Sequence, residues 1–263
     1  MKILKNKFAL NFALNFTNKI RAYLKIILTI IFPSHCLYCQ KIISAEGLFC
    51  SECWQKLQFI TTPKCAICCN PFKTESAKNN NNLICAKCLQ KKPSYDKAIV
   101  IFCYNQIIKK IIGDFKYRDK TYIAKKLSKF FSQKIISEIG AADFIIPIPL
   151  HKKKLSFRKF NQSLLLCQTL ATIFPKTKLY PDFLLRIKNT TAQVKLKKRP
   201  REKNLNNAFI LNPNYRDIIK GKNIILVDDV ITTGTTIEAC SKVLKKSQAQ
   251  SVTILAIAKT VFN

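Results

Sequence analysis

Acid is what this chain of 263 residues lacks most. Asp and Glu number 14 against 46 Lys and Arg, for a formal charge of +32. Such a surface does not seek cations. It draws phosphates, nucleic acid or anionic lipid. Glycine is also scarce, at five, in a chain rich in Ile, Asn and Lys. A general composition bias is one source to expect for such charge, which is therefore discounted somewhat as a functional signal and by itself names no function. Long apolar runs are missing too. The stretch "AYLKIILTIIFP" contains Lys25, ends at Pro33 and is apolar for only about eleven residues, where a membrane span needs about 20. That argues against a transmembrane segment. Residues 1–32 read instead as a basic N-terminal helix that docks, with peripheral membrane contact as its furthest reach. Nor does "MKILKNKFALNFALNF" have the clean apolar core and cleavage site of a secretory signal. The chain is expected in the cytoplasm, where thiols stay reduced.

That expectation decides how the 12 cysteines are read. Eight fall into four Cys-x2-Cys pairs within residues 33–92: Cys36 and Cys39, Cys50 and Cys53, Cys65 and Cys68, Cys85 and Cys88. Paired thiolates at this spacing hold tetrahedral Zn²⁺. The simplest grouping is the first four and the last four, giving two structural zinc sites. An interleaved grouping stays open, as do Cys69 in place of Cys68 and His35 as a remote alternative. All-cysteine sites leave no position for water, so a catalytic metal is not expected there. Cys103, Cys167 and Cys240 lie in apolar runs and read as buried thiols. Phe49, Trp54 and Phe59 could stack on nucleobases, but a small ribbon needs every apolar contact, so a core role is preferred.

From Pro93 onward strands alternate with helices. "AIVIFCY", "FIIPIPL", "NIILVDD" and "SVTILAIAKT" read as strands, and "AFIL" as a shorter one. "IIKKIIGDFKYRDK" reads as helix stopping near Gly113. "YIAKKLSKFFSQKIISEI" carries a stripe of Ile123, Leu127, Phe130, Phe131 and Ile135, and "SLLLCQTLATIF" and "TTIEACSKVLKKS" are helical. Uninterrupted apolar strands between helices predict an α/β fold, a parallel sheet covered on both faces, over residues 93–263.

Two of the rare acids stand side by side in "GKNIILVDDVITTGTTIEAC". In an open α/β sheet, ligands bind beyond the carboxyl ends of strands. There Asp228 and Asp229 can accept hydrogen bonds from vicinal hydroxyls, as on a ribose. Thr232, Thr233, Thr235 and Thr236 around Gly234 offer hydroxyls and backbone N–H groups to a phosphate at a helix N-terminus. Thr235 with Glu238 spells a capping box. Together these describe a ribose 5-phosphate site. A second loop, "IPIPLHKKKLSFRKFNQ", offers Lys152, Lys153, Lys154, Arg158 and Lys159. The three lysines read as solvated, whereas Arg158 with Asn161 and Gln162 suits phosphate. Lys116, Tyr117, Arg199, Arg201 and Asn204 are weaker candidates for a hood or a nucleic-acid face, each more simply a solvated surface.

The Asp-Asp loop closely resembles that of type I phosphoribosyltransferases. The order of motifs, namely cysteine pairs, "FKYRDK", "IPIPL", "FRKFNQ", "TTAQVKLKKRPREKNLNNAF" and "ILVDDVITTGTT", resembles the ComF (GntX-like) family from about residue 30 onward. The resemblance implies a double zinc ribbon joined to a domain binding phosphoribosyl pyrophosphate (PRPP) with Mg²⁺. It implies that Asp228 and Asp229 hold ribose and that Thr232, Thr233, Gly234, Thr235 and Thr236 hold the 5′-phosphate. The loop bearing Arg158, Asn161 and Gln162 would grip pyrophosphate. It also implies a link to DNA uptake, with single-stranded DNA and competence proteins as partners. The family's Arg-Gly-Phe-Asn-Gln appears here with Lys159 in place of glycine, which would be strained if that position requires positive φ. An enzyme acting on PRPP, a PRPP-binding accessory of DNA handling, and a zinc-stapled interaction protein with a vestigial site are the three readings, the intact loop arguing against the last.

Overall fold

The computed structural model describes residues 27–28, 30–44, 47–72, 82–118, 120–151, 155–156, 158–188 and 207–262. Lys152, Lys153, Lys154, Arg199, Arg201 and Asn204 lie outside these residues, as do nearly all of the basic leader and the side chains of Phe131 and Ile135. No helix among the described residues is long and apolar enough to cross a membrane. The chain divides between Lys56 and Leu57 into two compact units.

The first unit holds a short antiparallel hairpin, β1 (Ser34–His35) and β2 (Ile42–Ile43), and a one-turn helix, α1 (Ser51–Gln55). Cys36, Leu37, Phe49 and Cys53 are its buried residues. Phe49 is thus core, as expected, but Trp54 is 45% exposed.

The second unit begins with the other cysteine pairs and α2 (Ala86–Gln90). It continues with β3 (Lys97–Cys103), α3 (Gln106–Tyr117), α4 (Tyr122–Ile139), β4 (Phe144–Pro147) and α5 (Gln162–Ile173). Then come β5 (Lys178–Leu179), β6 (Leu184–Arg186), β7 (Phe209–Leu211), β8 (Asn223–Ile231), α6 (Thr235–Lys246) and β9 (Ser251–Lys259). Five strands form one parallel sheet in the order β3-β9-β8-β4-β5, and β6 and β7 pair antiparallel beside it. The parallel α/β expectation therefore holds, with "AFIL" in the small hairpin.

Burial on both faces explains why these strands read as unbroken apolar runs. Val100, Ile146, Leu226 and Ile254 share one cluster with Ile237, Cys240 and Leu244 of α6. Their sheet neighbours Ile101, Ile145, Ile225 and Leu255 are equally buried, on the opposite face. α3 starts where the Asn105 side chain accepts from the Ile108 N–H at 3.0 Å. It does not stop at Gly113. The helix runs four residues further to Tyr117 because Ile111, Ile112 and Phe115 are all buried. Packing overrides the weak local preference of one glycine.

Residues 58–60 lie antiparallel along β3. Ile60 N–H donates to Ile101 at 2.7 Å and Cys103 N–H to Gln58 at 2.8 Å. Phe59 packs with tilted rings against Phe102 and Phe130. It is half-buried and packs on the sheet rather than in a ribbon.

Candidate functional site

β4 and β8 are neighbours in register, with Pro147 beside Val227. From β4 the chain passes outward to the edge strand β5, and β8 returns on β4's other side. Loops leaving the carboxyl ends of two such strands diverge and open a crevice. The loop after β4 leads to Arg158, Asn161 and Gln162. The loop after β8 is Thr232–Gly234, and Thr235 and Thr236 open the helix that follows.

β8 runs two residues past the aspartates to Ile231. Asp228 Oδ1 accepts from the Asp229 N–H at 2.8 Å and from the Ser163 hydroxyl at 3.4 Å. Burial, and after it the charge of Asp229, push the Asp228 carboxyl up to about 7, against the pull of Lys116, the Asp229 N–H and Ser163. Asp229 is 7% exposed and pairs with the Lys116 ammonium at 2.5 Å. The two carboxylates therefore have different neighbours. Asp228, with Thr232, Thr233, Gly234, Thr235 and Thr236, lines a small open hollow, while Asp229 is not among its lining residues.

Gly234 has φ of 78° and precedes α6, so the turn uses the left-handed region that glycine permits. The capping box does not form. Thr235 is the first helical residue, and its hydroxyl meets that of Thr233 at 2.9 Å. Glu238 instead accepts from Ser94, at 2.9 Å from the N–H and 2.7 Å from the hydroxyl. Tertiary partners with two donors outcompete the local cap.

On the other loop, Arg158 donates to the Tyr117 hydroxyl at 3.2 Å and to Gln162 Oε1 at 3.4 Å, with its guanidinium over the Tyr117 ring. Asn161 caps α5, accepting from Ser163 N–H and donating to the Ile148 carbonyl, both at 3.0 Å. Gln162 is 2% exposed, and its Nε2 has no hydrogen-bond partner among the described residues. Lys159 adopts φ of 65°, at a cost of roughly 1–2 kcal/mol for a residue with a Cβ.

The cysteines form two sets. Sγ atoms of Cys36, Cys39, Cys50 and Cys53 lie within 4.8 Å of one another, and so do those of Cys65, Cys68, Cys85 and Cys88. The simple grouping is observed. Cys69 is fully buried in the sheet's core and His35 stands outside the set. Four thiolates around Zn²⁺ with bonds near 2.3 Å stand about 3.8 Å apart. Cys39 to Cys50 and Cys68 to Cys85 are each 3.6 Å. The first pair of each set makes the same turn. Cys36 N–H donates to Lys41 and Gln40 N–H to Cys36, as Cys65 N–H does to Asn70 and Cys69 N–H to Cys65. Gln40 and Cys69 have φ of 65° and 62°. A hydrogen bond from the Cys68 thiol, then backbone N–H groups, pull Cys65 down to about 4 against burial. Both sets fit structural zinc. Cys167 and Cys240 are buried thiols pushed well up by that burial, whereas Cys103 is only half-buried.

Residues 27–89 match the double zinc ribbon domain and residues 164–260 the phosphoribosyl transferase domain. Competence protein F of Haemophilus influenzae is 28% identical over 234 residues, covering 87% of this chain and 98% of the relative. DNA utilization protein YhgH of Escherichia coli is 27% identical over 210 residues, covering 75% and 90%. Competence protein ComFC of Bacillus subtilis is 26% identical over 227 residues, covering 83% and 87%. The chain thus carries a double zinc ribbon domain and a phosphoribosyl transferase domain, and along most of its length it is similar to competence and DNA utilization proteins.

The structure puts two residues, Lys116 and Ser163, at the site that sequence reasoning underrated. Lys116 reads as one lysine among many, yet it follows Ile108 and Ile112 at four-residue steps on the buried face of α3. A charge at a core position was the available signal. Ser163 carried none.

Proposed function

We propose that this protein binds PRPP, with Mg²⁺ accompanying its pyrophosphate, in the cytoplasm, and that the bound sugar phosphate serves an activity in DNA uptake. One observation carries the reading: Asp228 and the Thr232–Thr236 turn line the same hollow at the end of β8. Asp228 supplies an acceptor for a ribose hydroxyl. The turn supplies hydroxyls and the first N–H groups of α6 for the 5′-phosphate. Asp229 orients through Lys116, and Arg158 stands on the pyrophosphate side. If the site turns over, the anomeric carbon passes through an oxocarbenium-like state while basic groups neutralise the departing pyrophosphate. Replacing Asp228 and Asp229 together by Asn should weaken PRPP about tenfold to a hundredfold, since charge-assisted hydrogen bonds are worth roughly 1.5–3 kcal/mol. Thr236→Val should weaken ribose 5-phosphate and PRPP alike. Calorimetry with Mg²⁺ present measures both, and unchanged PRPP binding in the double variant would refute the ribose assignment.

A second reading is favoured by the charge of +32 and by the exposed Trp54. In it the protein is a PRPP-binding accessory that handles single-stranded DNA without catalysis, in keeping with relatives named for competence and DNA utilization. A pyrophosphate-release assay with bases, amines, water and DNA ends as acceptors separates the two. Bound PRPP without release selects the accessory. In either case log affinity for single-stranded DNA should fall with log salt by about 0.7 per phosphate contact.

A further inference from the structure

Both ends of the Thr232–Thr236 turn are anchored on the second cysteine set. The turn leaves β8 at Ile231, which pairs in register with Lys259 at the end of β9. Lys259 is 4% exposed, and its ammonium donates to the Cys68 carbonyl at 2.6 Å. Burying an ammonium against one neutral carbonyl is costly. The cost is explained by what the cysteines hold when loaded. Four thiolates around a divalent zinc carry a net charge of −2, and Lys259 is a cation beside that charge. The turn then enters α6, whose first-turn Glu238 gives both oxygens to Ser94. Ser94 follows α2, which bears Cys88, and Tyr95 after it packs against Cys65, Cys68 and Cys88 and against the sheet's core alike.

We propose that the second cysteine set is a positioning element of the sugar-phosphate turn: loaded with zinc, it fixes Lys259 and Ser94, and through them the strand end and helix start that frame Thr232–Thr236. Order in the turn, and with it affinity for a phosphate, then follows metal occupancy at Cys65, Cys68, Cys85 and Cys88. The affinity half of this rests on the sugar-phosphate reading. The order half does not.

General stabilisation of the fold would be the simpler account, and α6 supplies the comparison. Lys245, in its last turn, bonds Asp96 and the Gln250 carbonyl. That is the same kind of tie at the end away from the turn. The test uses the full zinc-loaded chain and the variants Ser94→Ala, Cys88→Ser and Lys245→Ala. Zinc content, melting temperature, amide hydrogen exchange over 232–238 and calorimetric affinity for ribose 5-phosphate are measured for each. Ser94→Ala should retain both zinc ions, yet its turn amides should exchange about threefold to tenfold faster, and ribose 5-phosphate should bind more weakly by a similar factor, the worth of one hydrogen bond. Cys88→Ser should lose one zinc and show a larger effect. Lys245→Ala should melt earlier with turn exchange unchanged. Should Cys88→Ser fail to fold, Ser94→Ala against Lys245→Ala still decides. Wild-type exchange in Ser94→Ala, or equal acceleration by Lys245→Ala, overturns the proposal. If the wild type binds neither ribose 5-phosphate nor PRPP, the sugar-phosphate reading fails while the exchange data judge the positioning on their own.

Discussion

Asp228 and Asp229 are adjacent in sequence and opposite in circumstance. Asp229 has a lysine against it, while Asp228 faces the hollow with a hydroxyl and a backbone N–H as its donors among the described residues. A carboxyl raised to about 7 holds its proton in the fold at pH values where the unfolded chain has lost it. Below the ordinary aspartate range both states are protonated and nothing is lost. As pH climbs toward 7, the unfolded state releases its proton first, so stability falls. Asp228→Asn removes that penalty. Its melting temperature should match wild type near pH 4 and exceed it at pH 8, and an equal gap at both values would refute the burial argument. PRPP affinity of the wild type should rise through the same window, because only the ionised carboxylate is a pure acceptor. The pair was legible because two acids together are conspicuous in an acid-poor chain. The lysine that separates their roles was not, since lysines are everywhere in this sequence and only its register on α3 marks it. Lys159 was legible as a misfit: glycine is expected there, and the backbone does adopt positive φ.

At the level of elements, the long strands and helices were readable because each is bounded by a composition change. α4 and β9 fall where hydrophobic periodicity places them. What escaped was local. β5 and β6 are two and three residues long and exist by pairing to neighbours already in place. The capping box failed because its acid found better donors far along the chain. α3 passes through Gly113 because apolar side chains on both sides of it are buried. An added methyl at Gly113 meets nothing within 4 Å, and its φ is not in the left-handed region. Gly113→Ala should therefore stabilise the protein by about 1 kcal/mol. Chemical denaturation would measure it, and a lowered midpoint would show that α3 needs the glycine.

For the molecule as a whole, composition suggests one frontier and packing draws another. Cysteine spacing sets a ribbon region at 33–92 apart from a sheet domain at 93–263, whereas contacts divide the chain at Lys56. The second cysteine set and the strip 58–60 belong to the same unit as the sheet. Spacing reports which residues share a metal but not which surface they rest on. The strip has a consequence for self-association. β3 is an outer strand, seven residues long and strongly apolar, and such an edge is a template for pairing with another chain. The other outer strand, β5, is only two residues long, too short to recruit a partner. Residues 58–60 occupy backbone groups of β3 at Ile101 and Cys103 that would otherwise face a neighbour. A fragment cut at residue 93 loses that cover along with the second metal set. It should form oligomers or precipitate at concentrations where a fragment starting at residue 57 stays monomeric, as light scattering on the two would show. The strip, whose Phe59 sequence reading preferred as ribbon core, thus works as a guard rail against amyloid-like stacking.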